Sequence, residues 1–318
     1  MSVNRSVNSK AKKSIHYLKT ELLGRTSVTF FGMFLIILTI SLVFFIASKG
    51  LATFIQDKQS PIEFLFSDKW DPIGDKGEPT VGALVFIFGS ISISMLALMI
   101  STPFSIAISI FITEISPRLG KKILQPVIEI FVGIPSVAYG WVGLTVLVPF
   151  VSKITSTLPF VDQSINTTGK SLITGAMVLS IMIFPTIASV AVDALKSLPG
   201  DYKEASFAIG ATRWQTIRHV LVPAALPGIL TGIVLGLARA FGEALAVQMV
   251  IGNNMLFPKT IFDRANTITS VITMEMGNAV SGTLESNALW SLAFLLLIIS
   301  FLFIVIIHKI GAKGSFIK

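Results

Sequence analysis

Six long apolar runs constrain the fold of this chain more than any other feature of its sequence. Each comes close to the 20 or so residues that an α-helix needs to cross a bilayer. They extend roughly over Val28–Ser48, Val81–Thr102 with an apolar continuation to Thr113, Val127–Val151, Leu172–Val192, Pro227–Ile251 and Ala288–Ile307. The second run is too short for two spans and a turn, so Pro103 predicts a kink in one long helix. We expect an all-α integral membrane protein with six transmembrane helices.

The composition agrees with a membrane protein. Only 13% of the 318 residues are charged and 53% are hydrophobic, whereas about a quarter of the residues in soluble chains are charged. There is no cysteine, and His16, His219 and His308 lie far apart in the sequence. Metal and thiol chemistry are therefore not expected. The net charge of +8 is better explained by membrane topology than by binding to nucleic acid.

Lysine and arginine predict the orientation of the chain, because they accumulate in cytoplasmic loops. They are dense before the first run, at 115–122, at 194–225 and after the last run, and acidic residues dilute them between the first two runs. Both termini are therefore predicted to be cytoplasmic. The predicted organisation is a basic N-terminus (1–27), a first span (28–48), an extracytoplasmic loop (49–80), a core of five spans (81–308) and a cytoplasmic tail (309–318).

The cytoplasmic stretch Leu198–Pro223 is predicted to fold into two short helices. Asp201 with Glu204, and Thr212 with Gln215, have the spacing of capping boxes, and Gly210 ends the first helix. Its apolar residues are expected to pack against the protein: Ala205, Ala208, Ile209, Trp214, Ile217 and Val220. Its basic residues are expected to face water or a partner: Lys203, Arg213 and Arg218. A solvated loop with ordinary caps explains the pattern equally well.

The same stretch resembles the cytoplasmic loop of permease subunits of binding-protein-dependent ABC importers, whose fold is that of type 1 importers. The shared pattern is Glu204-Ala205-Ser206, Gly210, and Val220 to Pro223, with Ser206, Val220 and Val222 as conservative departures. The resemblance implies a coupling element that docks in a groove of a cytoplasmic ABC ATPase dimer. The residues expected to carry this docking are Glu204, Ala205, Gly210, Arg213, Trp214 and Pro223.

Five further stretches resemble phosphate-specific ABC permeases, and the last resembles the PstC-type subunit. They are Ser60–Pro72, Pro103–Pro117, Ile128–Gly140, which contains GIPSVAYG, Ile181–Leu195 and Leu235–Asn253. Ala238 and Ala244 depart from the usual Gly and Thr. The resemblance implies a PstA-type second permease, an ATPase dimer that uses ATP and Mg, and an extracytoplasmic phosphate-binding protein. The chain has no Gly-x-x-x-x-Gly-Lys-Ser/Thr loop of its own, so no cofactor is expected to bind it.

Two charges interrupt the apolar run Ile229–Ile251, and each costs about 2.5 to 3.5 kcal/mol at the centre of a spanning helix. Arg239 and Glu243 would lie beside a stripe of small residues on one continuous helix, which places them inside the protein. The stripe consists of Gly228, Gly232, Gly236, Ala240 and Ala244. A structural salt bridge is one interpretation. The resemblance favours another, in which Arg239 contacts the phosphate in transit and Glu243 orients that charge and prevents overly tight binding.

Glu129 is a further pathway candidate, although its position near the cytoplasmic end of the third run favours anchoring at the membrane interface. Glu114 and Asp193 are expected to face water or the coupling element. Three alternatives to phosphate import stay open. They are a permease for sulfate or molybdate, an ion-coupled secondary transporter or channel, and an intramembrane hydrolase, for which no Ser-His or metal constellation is apparent.

Overall fold

The computed structural model describes residues 23–74, 77–157 and 168–314. Most of the predicted basic N-terminus and the end of the predicted tail lie outside these ranges. Six helices among the described residues are long and apolar enough to cross a membrane: Gly24–Ile55, Leu84–Ile115, Ser136–Thr155, Leu172–Lys196, Arg213–Gly242 and Leu284–Lys309. The prediction of six transmembrane helices is confirmed. The chain divides into two units, Met1–Lys49 and Gly50–Lys318.

The first unit consists, in its described part, of one long apolar helix, α1 (Leu23–Gly50). Three of its hydroxyl side chains form hydrogen bonds within the helix. The hydroxyls of Thr29, Thr39 and Ser48 donate to main-chain carbonyls three or four residues earlier, at 2.8 Å. Such internal bonds let serine and threonine occur in lipid-exposed helices, so α1 suits a bilayer along its length.

The second unit contains the remaining elements. The helices are α2 (Ala52–Ile55), α3 (Pro61–Phe66), α4 (Leu84–Ile110), α5 (Pro117–Leu119), α6 (Gln125–Gly133), α7 (Ser136–Val142), α8 (Val148–Thr155), α9 (Leu172–Lys196), α10 (Asp201–Ala208), α11 (Arg213–Thr216), α12 (Val222–Gly242), α13 (Leu245–Ile251), α14 (Ile268–Glu275) and α15 (Leu284–Gly314). Wider π-helical turns lie at Phe111–Ile115, Gly120–Leu124, Gly143–Leu147 and Ile217–Leu221. Two short antiparallel strands, β1 (Trp70–Asp71) and β2 (Thr80–Val81), form a ribbon before α4.

Helix α9 lies at the centre of the core, between α4 and α12. The small residues of α12 permit the close approach to α9. A Cβ added at Gly228 would lie 2.5 Å from Ala194 Cβ, and one added at Gly236 would lie 2.7 Å from Ile187 Cγ1. The main core also includes Leu179, Ile183 and Ile187 of α9, all fully buried. The predicted stripe of small residues therefore packs helix against helix as far as Ala240, which is buried as well.

The third predicted span is shorter than its apolar run. Helix α6 ends at Gly133, and Ile134 has an extended backbone with ψ of 129° before Pro135. A residue before proline is disfavoured in the helical conformation, so a new helix begins at Ser136. The Tyr139 hydroxyl donates to the Phe131 carbonyl at 2.7 Å and ties the two helices together. The prediction of one helix through Val127–Val151 was wrong at this position.

Candidate transport pathway and coupling element

Helix α12 ends beside the two charges that the sequence places in the fifth span. Its last residue is Gly242, and Glu243 has an extended backbone with φ of −80° and ψ of 120°. Helix α13 begins two residues later, at Leu245. The predicted single helix through Pro227–Ile251 was therefore wrong, and so was the placement of Glu243 one turn beyond Arg239 on the same surface. Arg239 lies in the last turn of α12, and Glu243 lies in the helix break.

Arg239 points towards the fourth span. Its Nη1 donates to Thr186 Oγ1 of α9 at 3.0 Å, and the side chain is half-buried. Within the described residues the guanidinium has no other hydrogen bond and no ion pair. Arginine carries five N–H donors, so four of them have no protein acceptor in the described part of the chain. Thr186, and not Glu243 as predicted, orients Arg239.

Glu243 holds the helix break together. Its Oε1 accepts a hydrogen bond from the Ala246 amide at 3.1 Å, in the first turn of α13. Its main-chain carbonyl accepts from the Thr269 hydroxyl of α14 at 2.9 Å. Carboxylates near a helix N-terminus satisfy amides that have no partner within the helix. The carboxylate therefore supports the start of α13 while the main chain is attached to α14.

Tyr139 connects the break in the third span to the same region. The helix that carries it packs closely on α13, because a Cβ added at Gly140 would lie 2.9 Å from Ala246 Cα. Gly140 is the last residue of GIPSVAYG, and Gly143 follows it by three residues. Both glycines are buried at this contact. Breaks in the third and fifth spans are thus neighbours.

The coupling element, defined here as Leu198–Pro223, folds as two helices separated at Gly210. Gly210 has a positive φ of 81°, and Thr212 and Gln215 form the predicted capping box at the start of α11. Both predictions are confirmed. The predicted capping box at Asp201 was wrong, because the chain is already helical at Gly200, whose carbonyl accepts from the amides of Lys203 and Glu204.

The second helix of the coupling element runs directly into the fifth span. Residues Arg213–Gly242 form one helix, which contains the wider turn Ile217–Leu221. Pro223 follows that turn. Proline has no amide hydrogen and crowds the carbonyl four residues before it, and a π-helical turn relieves both conflicts. The helix that contains the fifth span therefore begins earlier than the predicted Pro227.

Several apolar side chains of the coupling element are exposed. Ile209 is 85% exposed, Trp214 is 60% exposed and Phe207 is 49% exposed. Ala205, Ala208 and Glu204 are exposed too. The expectation that Ala205, Ala208, Ile209 and Trp214 pack against the protein was wrong, whereas Ile217 is buried as predicted and joins a cluster with Leu195 and Leu221.

An ion pair attaches the coupling element to the end of the second span. Lys203 Nζ lies 2.8 Å from Glu114 Oε1, and the Glu114 side chain is only 9% exposed. Arg213 Nη2 donates to the Ile115 carbonyl at 3.4 Å, and the hydroxyls of Ser206 and Thr216 meet at 2.9 Å. The prediction that Glu114 faces the coupling element is confirmed. Lys203 is paired with Glu114, and its side chain remains 40% exposed to water.

Glu129 lies on α6 and not in the third span, because the span begins after the break at Pro135. It is exposed and accepts a hydrogen bond from Gln125 Nε2 at 3.2 Å. Gln125 Oε1 in turn accepts from Lys196 Nζ at 2.8 Å. Glu129 is therefore part of a polar network at the ends of α6 and α9. The structure does not bring it together with Arg239 through any contact among the described residues.

Sequence reasoning missed three groups that the structure brings to these sites. Thr186 orients Arg239, Lys203 binds Glu114, and Ser94 is 1% exposed with a hydroxyl that has no hydrogen-bond partner among the described residues. The only sequence signal for Thr186 is a polar residue after Pro185 in an apolar span. For Ser94 the signal is the serine-rich segment Ser90–Ser94 in the second span.

The sequence of the second unit matches a known family. The family described as "Binding-protein-dependent transport system inner membrane component" matches residues 105–313. The chain belongs to this family. The permease is 50% identical over 293 residues to "Probable ABC transporter permease protein YqgH" of Bacillus subtilis, which covers 92% of this chain and 91% of the relative. The resemblance to ABC importer permeases is thereby confirmed, and the protein is a multi-pass membrane protein.

Other relatives of the permease carry the name "Phosphate transport system permease protein PstC". That of Mesorhizobium japonicum is 36% identical over 255 residues and covers 76% of each chain. That of Haemophilus influenzae is 32% identical over 301 residues and covers 92% of this chain and 93% of the relative. The alignment to the Haemophilus influenzae protein is long enough to include the first span as well as the core. The permease is therefore similar to PstC proteins over most of its length.

Two solved transporters have the same fold. A bacterial ABC transporter involved in the import of the acidic polysaccharide alginate aligns with a TM-score of 0.60 at 16% identity, over 96% of this chain and 99% of that one. The MetNI methionine ABC transporter in an inward-facing conformation aligns with a TM-score of 0.54 at 19% identity, over 72% of this chain and 94% of that one. The permease therefore has the type 1 ABC importer permease fold.

Proposed function

We propose that the chain is the PstC-type permease subunit of an ATP-driven importer of inorganic phosphate. The observation that carries this proposal is the half-buried Arg239 guanidinium at the end of α12, with one donor held by Thr186 and four without an acceptor in the described residues. Guanidinium donors in a planar fork match the oxygens of a phosphate. The similarity to relatives named PstC supports phosphate as the oxyanion.

Arg239 would contact the ion only briefly. A pathway residue must bind well enough to admit the ion and weakly enough to release it. Glu243 follows Arg239 by four residues and keeps a negative charge at the helix break. We assign to Glu243 the role of limiting how tightly the anion is held. Glu129 has no such position and is assigned to the polar network with Gln125 and Lys196.

The coupling element would dock on a cytoplasmic ATPase. Its exposed apolar side chains, Phe207, Ile209 and Trp214, supply the apolar contact, and Glu204 and Arg213 supply exposed charges beside them. The partners are a dimer of ABC ATPases that binds ATP and Mg, a PstA-type second permease and an extracytoplasmic phosphate-binding protein. ATP binding closes the ATPase dimer, and the movement of the coupling element reopens the spans outward in an alternating-access cycle.

The proposal is tested by reconstituting the complex in proteoliposomes and measuring ATP hydrolysis and phosphate uptake. Hydrolysis is expected to rise with a phosphate-loaded binding protein and not with a sulfate-loaded one. Arg239→Gln is expected to abolish uptake while the complex still assembles. Lys153→Gln, which removes an exposed cation at the end of α8, is the matched control. Stimulation by sulfate or molybdate identifies a different oxyanion permease, and uptake without ATP identifies a secondary transporter.

A further inference from the structure

A small polar cavity lies beside the helix break, and Arg239 is not among the residues that line it. It has a volume of about 10 Å³, which is enough for one water-sized particle. The polar residues that line it come from three segments: Ser90 and Ser94 of α4, Glu243 of the break, and Thr267 and Thr269 at the start of α14. Four hydroxyls and one carboxylate thus converge from parts of the chain far apart in sequence.

Ser94 gives the clearest sign of a ligand. Its side chain is 1% exposed, it lines the cavity, and its Oγ has no hydrogen-bond partner among the described residues. Serine in a membrane helix usually donates to a carbonyl one turn earlier, as Ser105 and Ser109 of the same helix do. A buried hydroxyl without a partner is unfavourable, because no hydrogen bond replaces the one it would make to water. A ligand in the cavity would remove that cost.

The charges around the cavity select a cation. Glu243 contributes its carboxylate, and within the described residues that carboxylate has no ion pair. Helix α12 ends at Gly242 with Phe241 and Ala240 against the cavity, and the C-terminal end of a helix carries partial negative charge. Interrupted membrane helices bind small cations through such ends and nearby oxygens.

Several main-chain amides beside the cavity already have acceptors. The amide of Ile268 donates to Ser90 Oγ at 2.9 Å, and the amide of Ser270 donates to Thr267 Oγ1 at 3.2 Å. The Ala246 amide is already bound to Glu243. The amides of Ala246, Ile268 and Ser270 are therefore engaged, and the Glu243 carboxylate at the cavity repels an anion. The cavity offers oxygen acceptors, which suit a hard cation.

We propose that this cavity binds a single monovalent cation of about the size of Na⁺, held by Ser94 Oγ and the Glu243 carboxylate with further oxygens from Ser90, Thr267 and Thr269. One carboxylate supplies one negative charge, which matches a monovalent ion and not Ca²⁺ or Mg²⁺. Among the described residues no group of three acidic, histidine or cysteine side chains offers a multivalent metal site.

The proposed cation has a consequence for transport that rests on the proposed function. A cation beside Glu243 cancels the negative charge four residues after Arg239, so the guanidinium attracts a phosphate more strongly while the cation is bound. Release of the cation would restore the negative charge and weaken that attraction. The occupancy of the cavity would then adjust the balance between anion entry and anion release.

The site is tested by thermal unfolding of the purified complex with its partner subunits, in NaCl, KCl or choline chloride at one ionic strength. A ligand that binds only the folded state raises the melting temperature as its concentration rises. We expect Na⁺ to raise the melting temperature by several degrees over choline, and K⁺ to raise it less. Equal melting temperatures in Na⁺ and choline overturn the proposal, and equal shifts in Na⁺ and K⁺ overturn the assigned size.

Variants locate the effect at this cavity. Ser94→Ala and Glu243→Gln are expected to lose the Na⁺-dependent shift, and the Gln variant keeps an acceptor for the Ala246 amide. Ser109→Ala removes an equally buried serine of the same helix that is bonded to Ile106, and it is expected to keep the shift. A shift that survives in both cavity variants overturns the proposal. Because no uptake is measured, a negative result here leaves phosphate transport untouched.

A direct titration covers the case in which a cavity variant does not assemble. Na⁺ is added to the unaltered complex in choline chloride, and the heat of binding is recorded. Saturable binding of one ion for each copy of this chain is expected. The absence of saturable binding contradicts the site independently of any variant.

Discussion

Lys203 Nζ and Glu114 Oε1 lie 2.8 Å apart, although 89 positions separate the two residues in the sequence. Glu114 is in the wider turn that ends the second span, and Lys203 is on the first helix of the coupling element. The pair therefore connects the surface proposed to contact an ATPase to the second span. The coupling element itself continues into the fifth span. Two spans are attached to one docking surface.

Replacing either member of this pair is expected to weaken the attachment. Glu114 is largely buried and Lys203 is 40% exposed, so we expect Glu114→Gln or Lys203→Met to cost about 1 to 2 kcal/mol of stability, between the values for exposed and buried pairs. Thermal unfolding of the complex measures this cost. The double variant Glu114→Lys with Lys203→Glu is expected to recover part of it, and strictly additive effects would contradict a direct interaction.

Thr186 is expected to act on phosphate uptake through Arg239. Thr186→Val keeps the shape of the side chain but removes the acceptor of a hydrogen bond to a charged group, which is worth about 1.5 to 3 kcal/mol. We expect uptake to fall by about tenfold or more, with assembly unchanged. Thr186→Ser keeps the hydroxyl and is expected to retain most of the uptake. Normal transport by the Val variant would show that this bond does not position Arg239.

Gly210 is expected to be required for docking of the ATPase. Its φ of 81° costs a residue with a Cβ about 1 to 2 kcal/mol, even though a Cβ there would meet no atom within 4 Å. Gly210→Ala is therefore expected to reduce co-purification of the ATPase without disturbing the spans. Gly200→Ala is the matched control, because Gly200 has a φ of −59° and equally open space. Equal recovery of the ATPase with both variants would refute the prediction.

Gly89 is expected to be the most sensitive glycine of the second span. An added Cβ would collide with the main-chain carbonyl oxygen of Asn266. Backbone atoms cannot move aside as flexible side chains do, so we expect Gly89→Ala to cost about 3 kcal/mol or more. The yield and melting temperature of the complex measure this. Gly277→Ala, with no atom within 4 Å, is expected to be nearly neutral.

The spans were predictable because the bilayer requires about 20 apolar residues for each, and this requirement is local in sequence. The two breaks depend on different kinds of information. Pro135 is visible in the sequence and disfavours helix at Ile134. The break at Glu243 depends on Thr269 and on the start of α13. The segment Ile229–Ile251 has no proline and gives no sign of these long-range partners.

The candidate site was predictable to a similar extent. A costly charge in an apolar span identifies Arg239, and small residues on one side of the helix indicate the side that packs. The acceptor at Thr186 lies 53 positions away and has no sequence pattern of its own. Ile209 and Trp214 are exposed, whereas the sequence predicts that apolar residues pack within the chain. One sequence carries no information about the partner protein that these residues are proposed to contact.

The second helix of the coupling element and the fifth span form one helix, Arg213–Gly242, so the two are expected to move as one rigid unit. Thirty helical residues extend about 45 Å, with the proposed docking surface near one end and Arg239 near the other. A tilt of about 5° at Arg213 would displace the far end by about 4 Å over this length. A small rotation on the cytoplasmic side would thereby move Arg239, the residue proposed to contact phosphate, by an atomic-scale distance. The displacement at Arg239 for a given tilt is therefore set by the number of helical residues between it and the docking surface.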